Sequence, residues 1–582
     1  MIRCLTLVIS LVSGLAVAAP VSRDDPEHAG QVHTGGSVAV GTAVVVTAHP
    51  EASAAALAVL QEGGQAIDAL VAAQSVLAVV EPQSSGLGGG GFLLHWDARQ
   101  QELEVFDGRE TAPASSRPDD LLTPEGQPLP WRTASSRLTS IGVPGTVALL
   151  WEAHQRHGLL TWPRTLQAAI RLAQDGFFPS PRLRRSIELA QRLGVGHSPA
   201  FQALYLPDGQ PPALDQRFRN PALAQTFEEL AQVGAPGFYR GSLAQQMVKT
   251  INTLEPSQIE FRGWSISDLG SYAVRRREPL CRDFKRHRLC TLPPPSSGGL
   301  GLLQTLVLLN TAGDLPGPTH PEAWQRLARA IPLADADRLY WLRDPVDGPS
   351  PTEALLKPSY LRRRALLMES PQGVSAQPGL PPEISHFPFA LPGSGHEQGT
   401  THVTIVDRHG NVASYSGSVE TVFGSRYVVQ GMVMNNQLSD FSFRPDIAGV
   451  PVANRRMPGR RPLSSMAPVI VFHEGVPVMA LGSPGGRTIP HFLSRVLIAS
   501  LIWKEPPYRS VALPHLSIRR GSLVLEKDPP LDWPFPLTEL KDSHQPLRQQ
   551  RFSSGTALLH RINGVWHGAA DPRREGTALA LP

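Results

Sequence analysis

The stretch GTTHVTIVDRHGNVASYSGSVETVFGS, residues 399–425, decides how this chain is read. Runs rich in β-branched residues over Thr401–Asp407 and Val412–Ser418 flank the turn Arg408-His409-Gly410-Asn411, which predicts two short antiparallel strands. Thr400 and Thr401 stand at the head of the first strand, directly after Gly399. A threonine pair taken alone merely suits a strand. It becomes chemistry if the Gly399–Thr400 peptide bond is cut, because Thr400 would then carry a free α-amine with an unperturbed pKa of about 7.7–8.0. That amine could take the proton of its own hydroxyl, directly or through one water, so one residue would supply both nucleophile and base.

Outward from this hairpin, further strands are expected over Pro468–Phe472 and Val476–Leu481, and a helix over Ile489–Ile502. Towards the N-terminus, Ser37–Val46 reads as a strand, followed by helical spacing over Ala52–Leu60 and Ala66–Val80. Phe92–Trp96 and Glu102–Phe106 alternate like the arms of a hairpin, and Thr146–Arg156 and Thr165–Ala173 read as helices. The middle, Pro179–Glu278, is mostly helical, and the Pro-, Ser- and Gly-rich 344–398 stretch reads as a long loop or processed connector. Strands in both halves with helices around them fit an α/β fold in which helices cover stacked sheets.

The 582 residues are 41% hydrophobic and 18% charged, enough to bury a sizeable core. The net charge of +4 is uneven, with 20 basic against 13 acidic residues from Thr400 onwards. The densest basic run, Arg455, Arg456, Arg460 and Arg461, has no interleaved aromatics and reads as a solvated face rather than a nucleic-acid surface. The first residues, MIRCLTLVISLVSGLAVAAP, have the cation, apolar run and Ala16-Val17-Ala18 site of a secretory signal, cut after Ala18 or Ala19. The mature protein is therefore expected to be exported. Cys281 and Cys290 flank CRDFKRHRLC, a hairpin that would oppose the two thiols, and a disulfide or free thiols both remain open. No ligand set for a metal is present.

Rival chemistries are weak. Gly86, Gly88 and Gly91 match G-x-G-x-x-G, but a helical run precedes them and a strand follows, the reverse of a dinucleotide site. The run reads instead as backbone passing close to another element, and no nucleotide cofactor is expected. No G-x-S-x-G elbow occurs, and Ser464-Ser465 has no nearby histidine. Gly482–Gly486, GSPGG, sits between a strand and a helix, where backbone N–H groups can face a developing oxyanion, or simply form a tight turn.

Ten motifs in order carry a resemblance: GGQAIDALVAAQSVLAVVEPQSSGLGGGGF, FDGRETAP, IGVPGTVA, LPPPSSGGLGLLQ, ADADRLY with WLRDP, GTTHVTIVD, MNNQLSDFS, RPLSSMAPVIV, LGSPGGRTI and GAADPR. Together they resemble the γ-glutamyltranspeptidases (glutathione hydrolases) of the N-terminal nucleophile hydrolase superfamily. The resemblance implies an αββα sandwich and a precursor that cuts itself before Thr400 into a large subunit, 20–399, and a small subunit, 400–582. It implies no cofactor. Thr400 would form an acyl-enzyme from glutathione or another γ-glutamyl amide and pass it to water, an amino acid or a peptide. By the same resemblance Arg109, Ser464 and Ser465 would hold the glutamyl α-carboxylate, and Asp440, Gln437 and Glu420 its α-ammonium. Gly485 and Gly486 would form the oxyanion hole, and Ser418 would hydrogen-bond the nucleophile. An arginine fork suits a planar carboxylate.

Ser418 stands where the family commonly has Thr, and Glu420 where Asn is common, which adds a negative charge beside the ammonium. The 441–461 stretch is short and lacks Tyr, so an open cleft is expected. His402 and Asp407 are expected to serve packing and a turn. Two other readings are an acylase of the same superfamily acting on glutaryl-type amides, and an exported inactive relative. Arg109 with Asp440, which would read both charges of an amino acid, argues against the first. Retention of Thr400, Arg109, the serine pair and GSPGG argues against the second.

Overall fold

The computed structural model describes residues 37–192, 198–254, 261–370, 374, 377–391, 399–519, 521–540 and 547–582. The expected signal segment and the residues just before Gly399 lie outside them. Two seven-stranded sheets form the centre. The first runs Thr577–Leu581, Ala43–Thr47, Gly399–Val406, Val412–Glu420, Gly90–Asp97, Glu102–Gly108, Arg275–Arg277. The second runs Val38–Gly41, Val565–Ala570, Ala557–Ile562, Val476–Gly482, Val469–His473, His287–Thr291, Leu280–Phe284.

Alternation along each strand sorts side chains to two faces. In the first sheet Val45, Leu93 and Ile405 pack with helices such as Ala66–Val80, Thr146–His157 and Trp162–Asp175. Their neighbours Val44, Val46 and Leu94 share a second core with the other sheet and the helices Gly298–Thr311, Pro321–Trp341 and Ile489–Leu501. Helix, sheet, sheet, helix is the αββα sandwich of the N-terminal nucleophile hydrolases. The helix Ala66–Val80 is buried along its whole length, which is why Ala, Val and Leu occupy it all round. No described helix is long and apolar enough to cross a membrane.

Cys281 and Cys290 face each other across their hairpin and form a disulfide, with Cα atoms 4.1 Å apart. The 344–398 stretch departs from the loop expected of it. Helices Thr352–Leu355 and Pro358–Leu366 form there, with Pro351 as N-cap and Pro358 in the first turn. Proline is tolerated at a helix start, where its missing N–H is no loss, so these prolines open helices instead of breaking them. The basic run also departs from its reading as a solvated face. Arg456 and Arg461 are buried, paired with Asp120 at 3.2 Å and with Asp107 at 2.5 Å. Their carboxylate partners lie more than 300 residues away in sequence, out of reach of any local charge pattern.

Candidate active site

Gly399 pairs with Glu420 while Thr401 pairs with Gly417, so Ser418 and Val419 together stand opposite the single residue Thr400. Such a bulge puts the extra residue in the Val412–Glu420 strand and bends that strand beside Thr400. The chain is uncut, and Thr400 Oγ1 donates to the Gly399 carbonyl oxygen at 2.5 Å. Ser418 Oγ, from the neighbouring strand, donates to the same oxygen and accepts the Glu420 N–H at 2.8 Å. Two hydroxyls thus converge on the carbonyl of the one bond whose cleavage would free Thr400. Glu420 is buried at φ +84°, a left-handed backbone that a non-glycine residue adopts only when its surroundings enforce it.

The charged residues assemble next to this strand end. Asn436 N–H donates to the Val419 carbonyl, and its side-chain oxygen accepts the Thr421 N–H, docking the 435–440 turn onto the strand. Arg109 Nη2 donates to Asp440 Oδ2 at 2.6 Å and to the Leu463 carbonyl at 2.7 Å, and Nε donates to the Pro462 carbonyl at 3.2 Å. Gln437 Nε2 donates to the same Asp440 oxygen at 2.7 Å. The backbone that Arg109 grips runs directly into Ser464 and Ser465. Ser465 Oγ accepts from Arg338 Nη1 at 2.8 Å, and Arg338 Nη2 donates to the carbonyl of Arg487 at 2.9 Å, the residue after Gly486.

Gly485 has φ +134° and Gly486 φ +54°, and the turn Gly486–Thr488 opens the helix Ile489–Leu501. Their N–H groups therefore sit at a helix N-terminal turn, where negative charge is favoured. The loop is held against the first sheet at Gly482, where a Cβ would meet the His402 ring at 2.1 Å.

The structure thus brings together Gly399, Thr400, Ser418 and Glu420, and beside them Arg109, Gln437 and Asp440. Arg338 ties the serine pair to the glycine turn. Thr400 is only 2% exposed. In this state Arg109 and Asp440 close on each other. His402 is neutral, held down to about 3 by burial, with its ring nitrogens against Ser416 and Thr404. Asp407 accepts the N–H groups of His409 and Asn411, the turn role expected of it. The glycine run passes close to other backbone: a Cβ on Gly88 would lie 2.2 Å from the Val433 carbonyl, and one on Gly89 2.1 Å from that of Ser418.

Three features escaped sequence reasoning. Arg338 lies in the quoted ADADRLY, yet nothing local says that it reaches Ser465. Glu110, next to Arg109, is wholly buried, and burial pushes its carboxyl up to about 7. Beside Thr400, Glu81 accepts from Thr401 Oγ1 at 2.9 Å and pairs with Arg182, while Arg574 donates to the Thr400 carbonyl at 3.0 Å.

The family model described as gamma-glutamyltranspeptidase matches residues 52–581. The glutathione hydrolase proenzyme of Bacillus subtilis (strain 168) is 32% identical over 99% of this chain and 98% of its own. The acylase ACY 1 proenzyme of Pseudomonas sp. (strain SE83) is 30% identical over 92% of this chain and 93% of its own. The crystal structure of a cephalosporin acylase from Bacillus halodurans shares the fold, with a TM-score of 0.82, 24% identity, and 94% of this chain and 97% of that one covered.

Proposed function

The chain belongs to the gamma-glutamyltranspeptidase family, and on that footing we propose that it is a self-cleaving γ-glutamyltransferase and glutathione hydrolase whose nucleophile is Thr400. The observation that carries this is the Thr400 hydroxyl lying on the Gly399 carbonyl, with Ser418 on the same oxygen. In maturation Thr400 Oγ1 attacks the Gly399 carbonyl carbon, and Ser418 stabilises the charge that grows on its oxygen. The C–N bond breaks as the hydroxyl proton passes to the departing Thr400 nitrogen, water hydrolyses the ester that replaces the amide, and Thr400 is left with a free amine. The products are a large subunit, 20–399, and a small one, 400–582. Residues 1–19 direct export to the periplasm or the exterior.

In turnover the amine accepts the hydroxyl proton as Thr400 Oγ1 attacks the γ-amide carbon, and Gly485 and Gly486 N–H groups receive the oxyanion. The leaving amine takes the proton, and water or an acceptor amine then releases the acyl group. A γ-glutamyl donor is a zwitterion at its α-carbon. It separates the Arg109–Asp440 pair and gives each a partner of opposite sign: the α-carboxylate goes to Arg109, Ser464 and Ser465, the α-ammonium to Asp440, Glu420 and Gln437. Exchanging one buried pair for two compensates the desolvation of all four charges.

A glutaryl-type acylase reading has the acylase relative in its favour. A glutaryl group lacks the ammonium that Asp440, Glu420 and Gln437 would receive. Two assays decide: a denaturing gel with N-terminal sequencing, and hydrolysis of γ-glutamyl and glutaryl anilides side by side. The wild type should give two bands, one beginning at Thr400, and prefer the γ-glutamyl anilide. Thr400→Ala should stay as one inactive band. An active single-band enzyme overturns the nucleophile, and preference for the glutaryl anilide overturns the substrate.

A further inference from the structure

Away from Thr400, a small chamber of about 10 Å³ lies between the segment after Arg109, the 261–264 turn and Arg456. That volume suffices for a water-sized species. Four polar atoms of its lining are buried without a protein hydrogen-bond partner: Arg456 Nε, Arg456 Nη1, Trp264 Nε1 and Thr139 Oγ1. Their residues are all more than nine-tenths buried. Three of these atoms can only donate, and the threonine hydroxyl can rotate to donate. Buried donors are seldom left unmet.

The lining is charged as well. Asp120 is the carboxylate of the lining, and it serves two guanidiniums: Oδ2 faces Arg456 Nη2 at 3.2 Å, and Oδ1 accepts from Arg262 Nη1 at 2.8 Å. The remaining Arg456 contact is neutral, Nη2 donating to Ser116 Oγ at 3.0 Å. The Asp120 carboxylate is thus shared between the buried Arg456 and the one-third exposed Arg262. Burial pushes the Arg456 guanidinium down to about 10, with Asp120 opposing the shift and Arg262 adding to it.

We infer that this chamber is a binding site for a single-atom anion of the halide class, held by the Arg456 guanidinium, the Trp264 indole N–H and the Thr139 hydroxyl. Water has two lone pairs for the four donors, whereas a spherical anion accepts from all of them. The bound ion braces the segment that supports Asp440: the Asn454 side chain donates to the Asp440 carbonyl at 2.8 Å, and the Gly459 N–H donates to Ala112. The inference is independent of what Thr400 does.

The test uses the full chain. Melting temperature is measured in sodium chloride or bromide against sodium sulfate at matched ionic strength, and bromide-soaked crystals are examined at the bromine absorption edge. Halide should raise Tm by about 1–2 °C per tenfold increase in concentration, with an anomalous peak between Arg456 and Trp264. Trp264→Phe, which keeps the ring and loses the N–H, and Thr139→Val should each weaken the halide increment severalfold while leaving Tm in sulfate within a few degrees of wild type. A Tm that follows ionic strength whatever the anion, or an ordered water with no bromine signal in the chamber, overturns the site.

Discussion

Glu110 predicts a pH dependence separate from that of the amine proposed for Thr400. Its carboxyl is wholly buried, lies 3.8 Å from Arg109 Nη1, and is neutral below about pH 7. Above that pH it ionises beside the guanidinium proposed to hold the donor's α-carboxylate, competes for it and repels the carboxylate. Donor KM should therefore rise as pH passes through about 7, and in Glu110→Gln it should stay flat over that range. Stability carries the same signature. With its pKa raised, the folded state keeps a proton that the unfolded chain releases above its model value of 4.5, so stability falls as pH rises from there to about 7. A shift of this size is worth about 3 kcal/mol across the window, and denaturant titrations of wild type and Glu110→Gln should differ by that much in their stability change between pH 4.5 and about 7. Sequence showed Arg109 through its motif but gave no sign that its neighbour is a buried acid, because burial is a property of the packed chain.

Between strand and helix, the GSPGG turn owes its shape to one residue more than the others. Gly485 adopts φ +134°, and a Cβ there would lie 2.6 Å from the Phe492 ring. Gly485→Ala is therefore expected to cost about 1–3 kcal/mol of strain and to turn the N–H groups off their line. The gel would still show cleavage at Thr400, since the donor to the Gly399 carbonyl in that step is Ser418, while kcat for a γ-glutamyl anilide falls about 10²–10³-fold. Loss of cleavage and turnover together would tie the turn to maturation as well. Most elements were legible at this scale. The hairpin after Thr400, the helices near 50–80 and the helix from Ile489 appear where their periodicity puts them. The helices within 352–366 did not, because proline marks a helix start as readily as a loop.

Across the whole molecule, segments from either side of Thr400 interleave in both sheets. Ala43–Thr47 lies between Thr577–Leu581 and Gly399–Val406, and Gly90–Asp97 pairs with Val412–Glu420. Cutting one peptide bond would leave these ladders intact, which is why the two proposed subunits should remain one particle. Arg338 spans the same division. From the large segment it holds Ser465 and the carbonyl of Arg487 in the small one, and Gly301 leaves space for its side chain, since a Cβ there would lie 2.6 Å from Arg338 Cδ. Arg338→Lys keeps the charge and loses the fork, so Ser465 loses its fixed donor. Cleavage at Thr400 should persist, with donor kcat/KM reduced roughly ten- to a hundredfold, mostly in KM. An unchanged KM would remove Arg338 from positioning the site.

The sequence by itself determined the local periodicities, the glycine-preceded Thr400 and the order of motifs that carries the family, because these are properties of neighbouring residues. Only the tertiary structure decided that Arg456 and Arg461 are buried ion-pair partners, that Cys281 and Cys290 are bonded, and that Arg109 meets Asp440 across 331 residues. Charges and polar groups taken out of water must find partners wherever the fold brings them, and that choice is made by packing rather than by separation along the chain.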